Sequence, residues 1–170
     1  GGSDFEPDSK AEYSNSNFVL LTFVLERTFN KSYSQLLTNY ITKPLSLNST
    51  YLGGKINPLN NECFSYSVGD GWKLESETDI SIPLGAGGIV STPSDLVKFA
   101  DALFAHKLLK KESVEMMMTV KDRFGMGLLQ IPFYDKLGYG HTGGIDGFSS
   151  VFSYFSDGNI SYALTSNGTN

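Results

Sequence analysis

Apolar residues recur along this chain first with a helical rhythm and later with a strand-like one. Phe18, Leu21, Leu25 and Phe29 keep helical spacing, which predicts a well-buried helix over 17–28. The polar run ahead of it, Ser14-Asn15-Ser16, supplies candidate N-caps. Leu36, Leu37, Tyr40 and Ile41 form the apolar face of a second helix predicted over 33–42. Pro44 is expected to end it, because the residue before a proline disfavours the α region. Residues 1–12 are polar, contain Gly1, Gly2 and Pro7, and read as loop. Residues 45–84 show no sustained period, only short strand-like pieces such as 64–68. A connection of that length is a candidate wall or lid for a site.

Regular patterning returns at Thr92-Pro93-Ser94-Asp95, where an N-cap, a first-turn proline and an acidic residue near the helix dipole start a third helix. Leu96, Phe99, Ala100 and Leu103 are its predicted buried face, and a shorter helix follows over 111–118, its methionine run assigned to the core. From Arg123 the pattern turns to strands, predicted over 124–131, 137–141, 147–155 and 159–166, with Asp157-Gly158 as a hairpin turn. Helices first and an antiparallel meander last make an α+β fold. His141-Thr142-Gly143-Gly144 falls between two of these apolar segments and reads as a glycine-lined turn.

Composition narrows the function. The 170 residues suffice for one domain with one core. The net charge of −5 and the lack of any basic run argue against a nucleic-acid partner. No stretch approaches the ~18 apolar residues of a membrane span. Gly1-Gly2-Ser3 is no signal peptide, and this leaves the compartment open. The single cysteine, Cys63, has no partner for an internal disulfide and reads as a small hydrophobe before a nucleophile. Two histidines and one cysteine offer no metal-ligand spacing, so neither a metal site nor a cofactor is expected. The glycines of Gly85-Ala86-Gly87-Gly88 are not followed by the Gly-Lys-Ser/Thr of a phosphate loop.

Two short polar motifs carry the candidate chemistry. His141-Thr142-Gly143-Gly144 combines an ionisable ring, a hydroxyl and two positions where a ligand can approach backbone N–H groups. Tyr13-Ser14-Asn15 combines a phenol with an amide; read without other context, it is a helix cap beside a packed aromatic. Taken with Gly85–Phe99 (GAGGIVSTPSDLVKF) and Phe124–Leu128 (FGMGL), these motifs resemble, in order and spacing, the later part of a serine β-lactamase/penicillin-binding-protein-like enzyme of the class C β-lactamase and DD-carboxypeptidase type. The resemblance runs from Phe5 onward, and the histidine at position 141 is similar to DD-carboxypeptidases and esterases more than to β-lactamases, where lysine is usual.

The resemblance implies a β-lactamase/transpeptidase-like domain over 1–170, an antiparallel sheet packed with helices and incomplete at both ends. Residues 1–84 would be a mostly helical and loop region, and 85–170 a helix and sheet region. It implies a Ser-x-x-Lys nucleophile motif, yet no lysine here has a serine three residues before it. That segment would come from the same or another chain, and the 170 residues alone would be inactive. It further implies Tyr13 and Asn15 beside the absent Ser and Lys. A phenol is a poor base at neutral pH unless a nearby ammonium favours the phenolate. His141 and Thr142 would meet a substrate carboxylate, Gly143 would leave room for the substrate along the strand edge, and the Gly144 N–H would be one oxyanion donor. Substrates would be D-Ala peptides, β-lactams or small esters, at the cell envelope or outside the cell. A non-catalytic ligand-binding protein and a purely structural module of the same fold are the competing readings.

Overall fold

The computed structural model describes residues 2–169; Gly1 of the predicted loop and Asn170 lie outside them. Residues 2–12 form neither helix nor strand. Helix α1 (Asn15–Phe29) follows, with Ser14 at the N-cap position in extended backbone but making no side-chain cap bond. Asn30 closes α1 in the left-handed region at φ 49°, its N–H donating to the Glu26 carbonyl. The expectation of a well-buried α1 is not met: only Thr22 is buried, while Leu20, Phe23 and Val24 are each more than half exposed at 61%, 52% and 57%. The described chain covers mainly the stripe that meets the 84–86 turn, where Gly85 leaves space for the Thr22 hydroxyl, with a smaller contact to the next helical segment.

Helix α2 (Tyr33–Leu37) starts with a capping box between Ser32 and Gln35. Pro44 does not end this helical run. The backbone widens into a π turn (Thr38–Thr42), then closes as the short α3 (Lys43–Leu45) with Pro44 in its first turn. A proline clashes with the carbonyl four residues back in a regular helix, and the wider turn, in which the Lys43 N–H reaches Thr38, removes that demand.

Strand β1 (Tyr51–Leu52) pairs with β4 (Ile89–Val90), while β2 (Tyr66–Val68) lies between β3 (Trp72–Leu74) and, in parallel, β9 (Gly168–Thr169). Helix α4 (Pro93–Phe104) is capped as the sequence suggests, the Thr92 hydroxyl accepting from the Asp95 N–H. Helix α5 (Lys111–Met118) follows. The main sheet is antiparallel, in the order β5 (Leu129–Phe133), β6 (Lys136–Ile145), β7 (Phe148–Phe155), β8 (Ile160–Ser166). The first of these strands begins later than the 124–131 expected, because Gly127 at φ 71° turns the chain after Phe124, which keeps only isolated bridges to Lys121 and Leu129.

Helix α4 packs across β7 and β8. Phe104 stacks on Tyr154 at 4.3 Å and Phe99 meets Phe152 edge-on at 5.9 Å. Leu103, Phe104, Val114 and Leu128 form the core cluster, each worth roughly 1.5–3 kcal/mol of burial. Met117 and Met118 join it, whereas Met116 is 55% exposed. The fold is thus mixed α and β with antiparallel sheets, and the core fixes β6 and β7 as the platform for the site.

Candidate active site

His141-Thr142-Gly143-Gly144 is not a turn. It lies inside β6, opposite Phe152, Val151, Ser150 and Ser149 of β7, and the reversal falls on Asp146-Gly147, with Asp146 at φ 52°. Neither Gly143 nor Gly144 has positive φ. An Asp-Gly pair is the better two-residue hairpin turn, and it takes the reversal from the glycines before it.

The β5–β6 ladder runs from Phe133↔Lys136 to Leu129↔Gly140 and stops. Residues 141–145 therefore have β7 on one side and, among the described residues, no strand on the other. Thr142, Gly143 and Gly144 are exposed along that edge. The two glycines differ. A Cβ at Gly143 would come within 2.6 Å of the Ser150 hydroxyl oxygen, so close packing already accounts for it. A Cβ at Gly144 would have only the Phe148 carbonyl near, at 4.0 Å, so the chain's own packing does not require glycine there.

Tyr13 comes to this strand from the other end of the chain. Its ring centroid is 5.9 Å from that of His141, 6.3 Å from Phe124 and 6.4 Å from Phe18. Its hydroxyl donates to the Asn15 side-chain oxygen at 3.0 Å. The segment before it is tied to the turn ahead of Phe124: the Ala11 N–H donates to the Asp122 carboxylate at 3.0 Å, and the Lys121 ammonium bonds the Asp8 carbonyl and, at 3.2 Å, its carboxylate. Tyr13, Phe18, Phe124, Leu128 and His141 line one pocket. Lys10 and Glu12 pair at its rim at 2.8 Å, and the ammonium holds the Glu12 carboxyl below its ordinary range.

His141 Nδ1 lies 2.6 Å from the Thr142 carbonyl. A carbonyl only accepts, so this nitrogen carries a proton and Nε2 is the one left for a ligand. The structure thus brings Tyr13, Asn15 and His141 into one neighbourhood. Asn15, Thr142, Gly143 and Gly144 are not on the lining of that pocket, and the last three continue the edge beyond it. Phe18 and Phe124 flank the Tyr13 ring and Asp122 holds the segment before it through Ala11; the sequence gives no site role to Phe18 or Asp122.

Residues 45–84 do not line the pocket either; they reach the strand edge at its far end, where Thr78 bonds Asp146 and Ser65 bonds Gly147. Cys63, exposed within them, follows Glu62, which accepts from the Tyr51 hydroxyl at 2.5 Å. That bond, before burial, pushes the Tyr51 phenol up to about 12. Among the described residues no three His, Cys, Asp or Glu side chains gather as a metal site, and no helix is long and apolar enough to cross a membrane.

The chain as a whole is similar to known proteins. The chain is 31% identical over 93 residues to the D-alanyl-D-alanine-carboxypeptidase/endopeptidase AmpH of Escherichia coli (strain K12), covering 55% of this chain and 23% of that protein. A D-stereospecific amidohydrolase from Streptomyces sp. superposes with a TM-score of 0.82 at 31% identity, over 97% of this chain and 52% of that one. The D-amino acid amidase of Ochrobactrum anthropi SV3, complexed with D-phenylalanine, gives 0.81 at 27% identity, over 96% and 53%. The chain therefore spans about half the length of these solved structures, and less of the curated relative. The Beta-lactamase family model matches residues 2–170, and the chain belongs to that family, whose β-lactamase/transpeptidase fold its sheet and helices share.

Proposed function

We propose that this chain forms the Tyr-x-Asn and His-Thr-Gly-Gly side of a serine acyl-transfer hydrolase, with the nucleophile on a Ser-x-x-Lys segment outside these 170 residues. The observation that carries the reading is the Tyr13–Asn15 pair set beside His141 and an open strand edge. An ammonium brought to this pair meets two oxygen acceptors 3.0 Å apart, the Tyr13 phenol and the Asn15 amide. It favours the phenolate, which then takes the proton of the attacking serine. The serine oxygen bonds the substrate carbonyl carbon, the carbonyl oxygen becomes the oxyanion, and the Gly144 N–H donates to it. The tetrahedral intermediate collapses to an acyl-enzyme as the amine, protonated in turn, leaves. Water repeats the sequence and frees the acid.

With a peptide substrate, His141 and Thr142 receive the terminal carboxylate, and Gly143 lets the substrate backbone run along the edge. The names of the relatives favour peptides ending in D-alanine or amides of D-amino acids over β-lactams and small esters. Such peptides belong to the cell wall, so the reading carries a cell-envelope location with it. The 170 residues alone, without the serine, should not turn over.

The test is hydrolysis by the full-length gene product of a peptide ending in D-Ala-D-Ala and of D-phenylalanine amide, each against its L enantiomer. Turnover of a D substrate, with the L forms inert, supports the reading. Binding without turnover of any of them would make the chain a ligand-binding member of the family instead.

A further inference from the structure

The strand edge carrying Gly144 ends in a hairpin tip that the 45–84 region fastens down. We propose that the Thr78–Asp146 contact is a latch positioning the His141–Gly144 edge for acyl transfer, an inference that rests on the hydrolase reading above. Both oxygens of one carboxylate are engaged by one residue: the Thr78 N–H donates to Asp146 Oδ2 at 3.0 Å and the Thr78 hydroxyl to Oδ1 at 2.6 Å. Next to it, the buried Gly147 donates its N–H to the Ser65 hydroxyl at 3.1 Å. A Cβ at Gly147 would come within 2.5 Å of the Tyr66 carbonyl oxygen, so the 65–66 backbone lies directly on the tip. That backbone is itself held, the Tyr66 N–H donating to the Asn167 carbonyl at 2.8 Å.

The need for a latch follows from the edge. Among the described residues, 141–145 have a strand partner on one side only, and Gly143 and Gly144 have no side chains to pack. The aim of the Gly144 N–H is then set by pairing to β7 and by whatever holds the tip two residues on. An oxyanion donor works within a narrow distance range, and a misplacement of about 1 Å can cost on the order of a hundredfold in rate. Ser65 holds Gly147 from a buried position and maintains the turn. The more exposed Thr78–Asp146 pair adds charge-assisted bonds at the residue nearer the oxyanion donor. Thr78 and Asp146 are positioning residues: neither reaches the pocket of Tyr13 and His141.

The experiment compares the full-length gene product with its Asp146→Gly, Thr78→Val and Thr78→Ser variants. Glycine suits the φ of 52° at Asp146, so Asp146→Gly removes the latch and keeps the turn. Three readouts are taken: the acylation rate constant and the pre-acylation Kd for a fluorescent penicillin, the Tm, and amide exchange over 141–147. In Asp146→Gly, acylation should slow about tenfold with Kd and Tm nearly unchanged, and exchange at 143–145 should quicken. Thr78→Val, which keeps the N–H bond and loses the hydroxyl, should fall between, and Thr78→Ser should retain the wild-type rate. Wild-type acylation and exchange in Asp146→Gly would overturn the latch. So would a rate loss that tracks Tm alone, the mark of a structural bond. A wild type that is neither acylated nor active on the D-alanyl peptide or D-phenylalanine amide would sink the hydrolase reading, and unchanged exchange in Asp146→Gly would still overturn the latch by itself.

Discussion

Asp95 is the carboxylate whose loss the fold should feel most. It is 4% exposed, in the first turn of α4, and its Oδ2 accepts the Ser49 N–H at 2.9 Å and the Thr50 hydroxyl at 3.0 Å, while the Lys98 ammonium stands 3.3 Å from Oδ1. Replacement by alanine strands those donors. A donor left without a partner costs about 1–3 kcal/mol, but Ser49 is exposed enough for water to reach it, and Thr50 keeps the Ser91 hydroxyl at 2.8 Å. Adding about 0.3–1 kcal/mol for a negative charge at the helix N-terminus gives roughly 1.5–3 kcal/mol for Asp95→Ala. Asp95→Asn, which keeps one oxygen, should lose about 1 kcal/mol.

The pH dependence has a definite sign. Burial raises the Asp95 carboxyl, but the Ser49 N–H, the Thr50 hydroxyl and Lys98 outweigh it and the net shift is downward. A carboxyl lowered by folding stabilises fully above its unfolded value, about 3.9, and that contribution is lost as pH falls through the lower folded value. Urea unfolding of the full-length product, followed by circular dichroism, should show a wild-type advantage over Asp95→Asn that is flat from about pH 5 to 8 and shrinks below about pH 4. No advantage at neutral pH, or one that grows on acidification, would refute the assignment.

Three further outcomes are expected. Tyr13→Phe keeps the ring among Phe18, Phe124 and His141 and loses only the hydroxyl, so acylation should fall about 10²–10⁴-fold while Tm holds; kinetics and calorimetry on the same preparation decide it. Gly144→Ala meets open space in the chain, so it should fold as wild type yet lose about tenfold or more in acylation rate by crowding the reacting carbonyl; a loss of stability without a loss of rate would count against the open edge as a substrate site. The isolated 170 residues should self-associate, because Leu20, Leu21, Phe23, Val24 and Leu25 of α1 are 40–61% exposed; a cooperative monomer by analytical ultracentrifugation and unfolding would contradict this.

Local chemistry made some of this legible in the sequence. Thr92, Pro93 and Asp95 fixed the start of α4, and alternation with the Asp157-Gly158 turn located β7 and β8 within a residue. What escaped was set by distant partners. Whether Gly143-Gly144 or Asp146-Gly147 turns the chain depends on register with β7 and on Ser65 and Thr78, far away in sequence. The π turn that admits Pro44 leaves no mark in apolar spacing. Tyr13, Asn15 and His141 were named through a motif resemblance, while the Ala11–Asp122 bond that helps aim Tyr13 joins residues 111 apart and has no local signature. The apolar rhythm of α1 correctly gave a helix and wrongly a buried one, since periodicity reports a face without reporting what covers it.

In the proposed hydrolase, Tyr13, Asn15 and the 141–144 edge serve a serine carried outside these residues. The most direct test of this assignment is labelling of the full-length product with a fluorescent penicillin, followed by proteolysis and mass spectrometry of the labelled peptide. One acylated serine is expected, in a Ser-x-x-Lys sequence outside residues 1–170, with no label on the 170 residues expressed alone. A label on a serine within these residues, or none anywhere on a folded full-length protein that also leaves D-alanyl peptides intact, would contradict it.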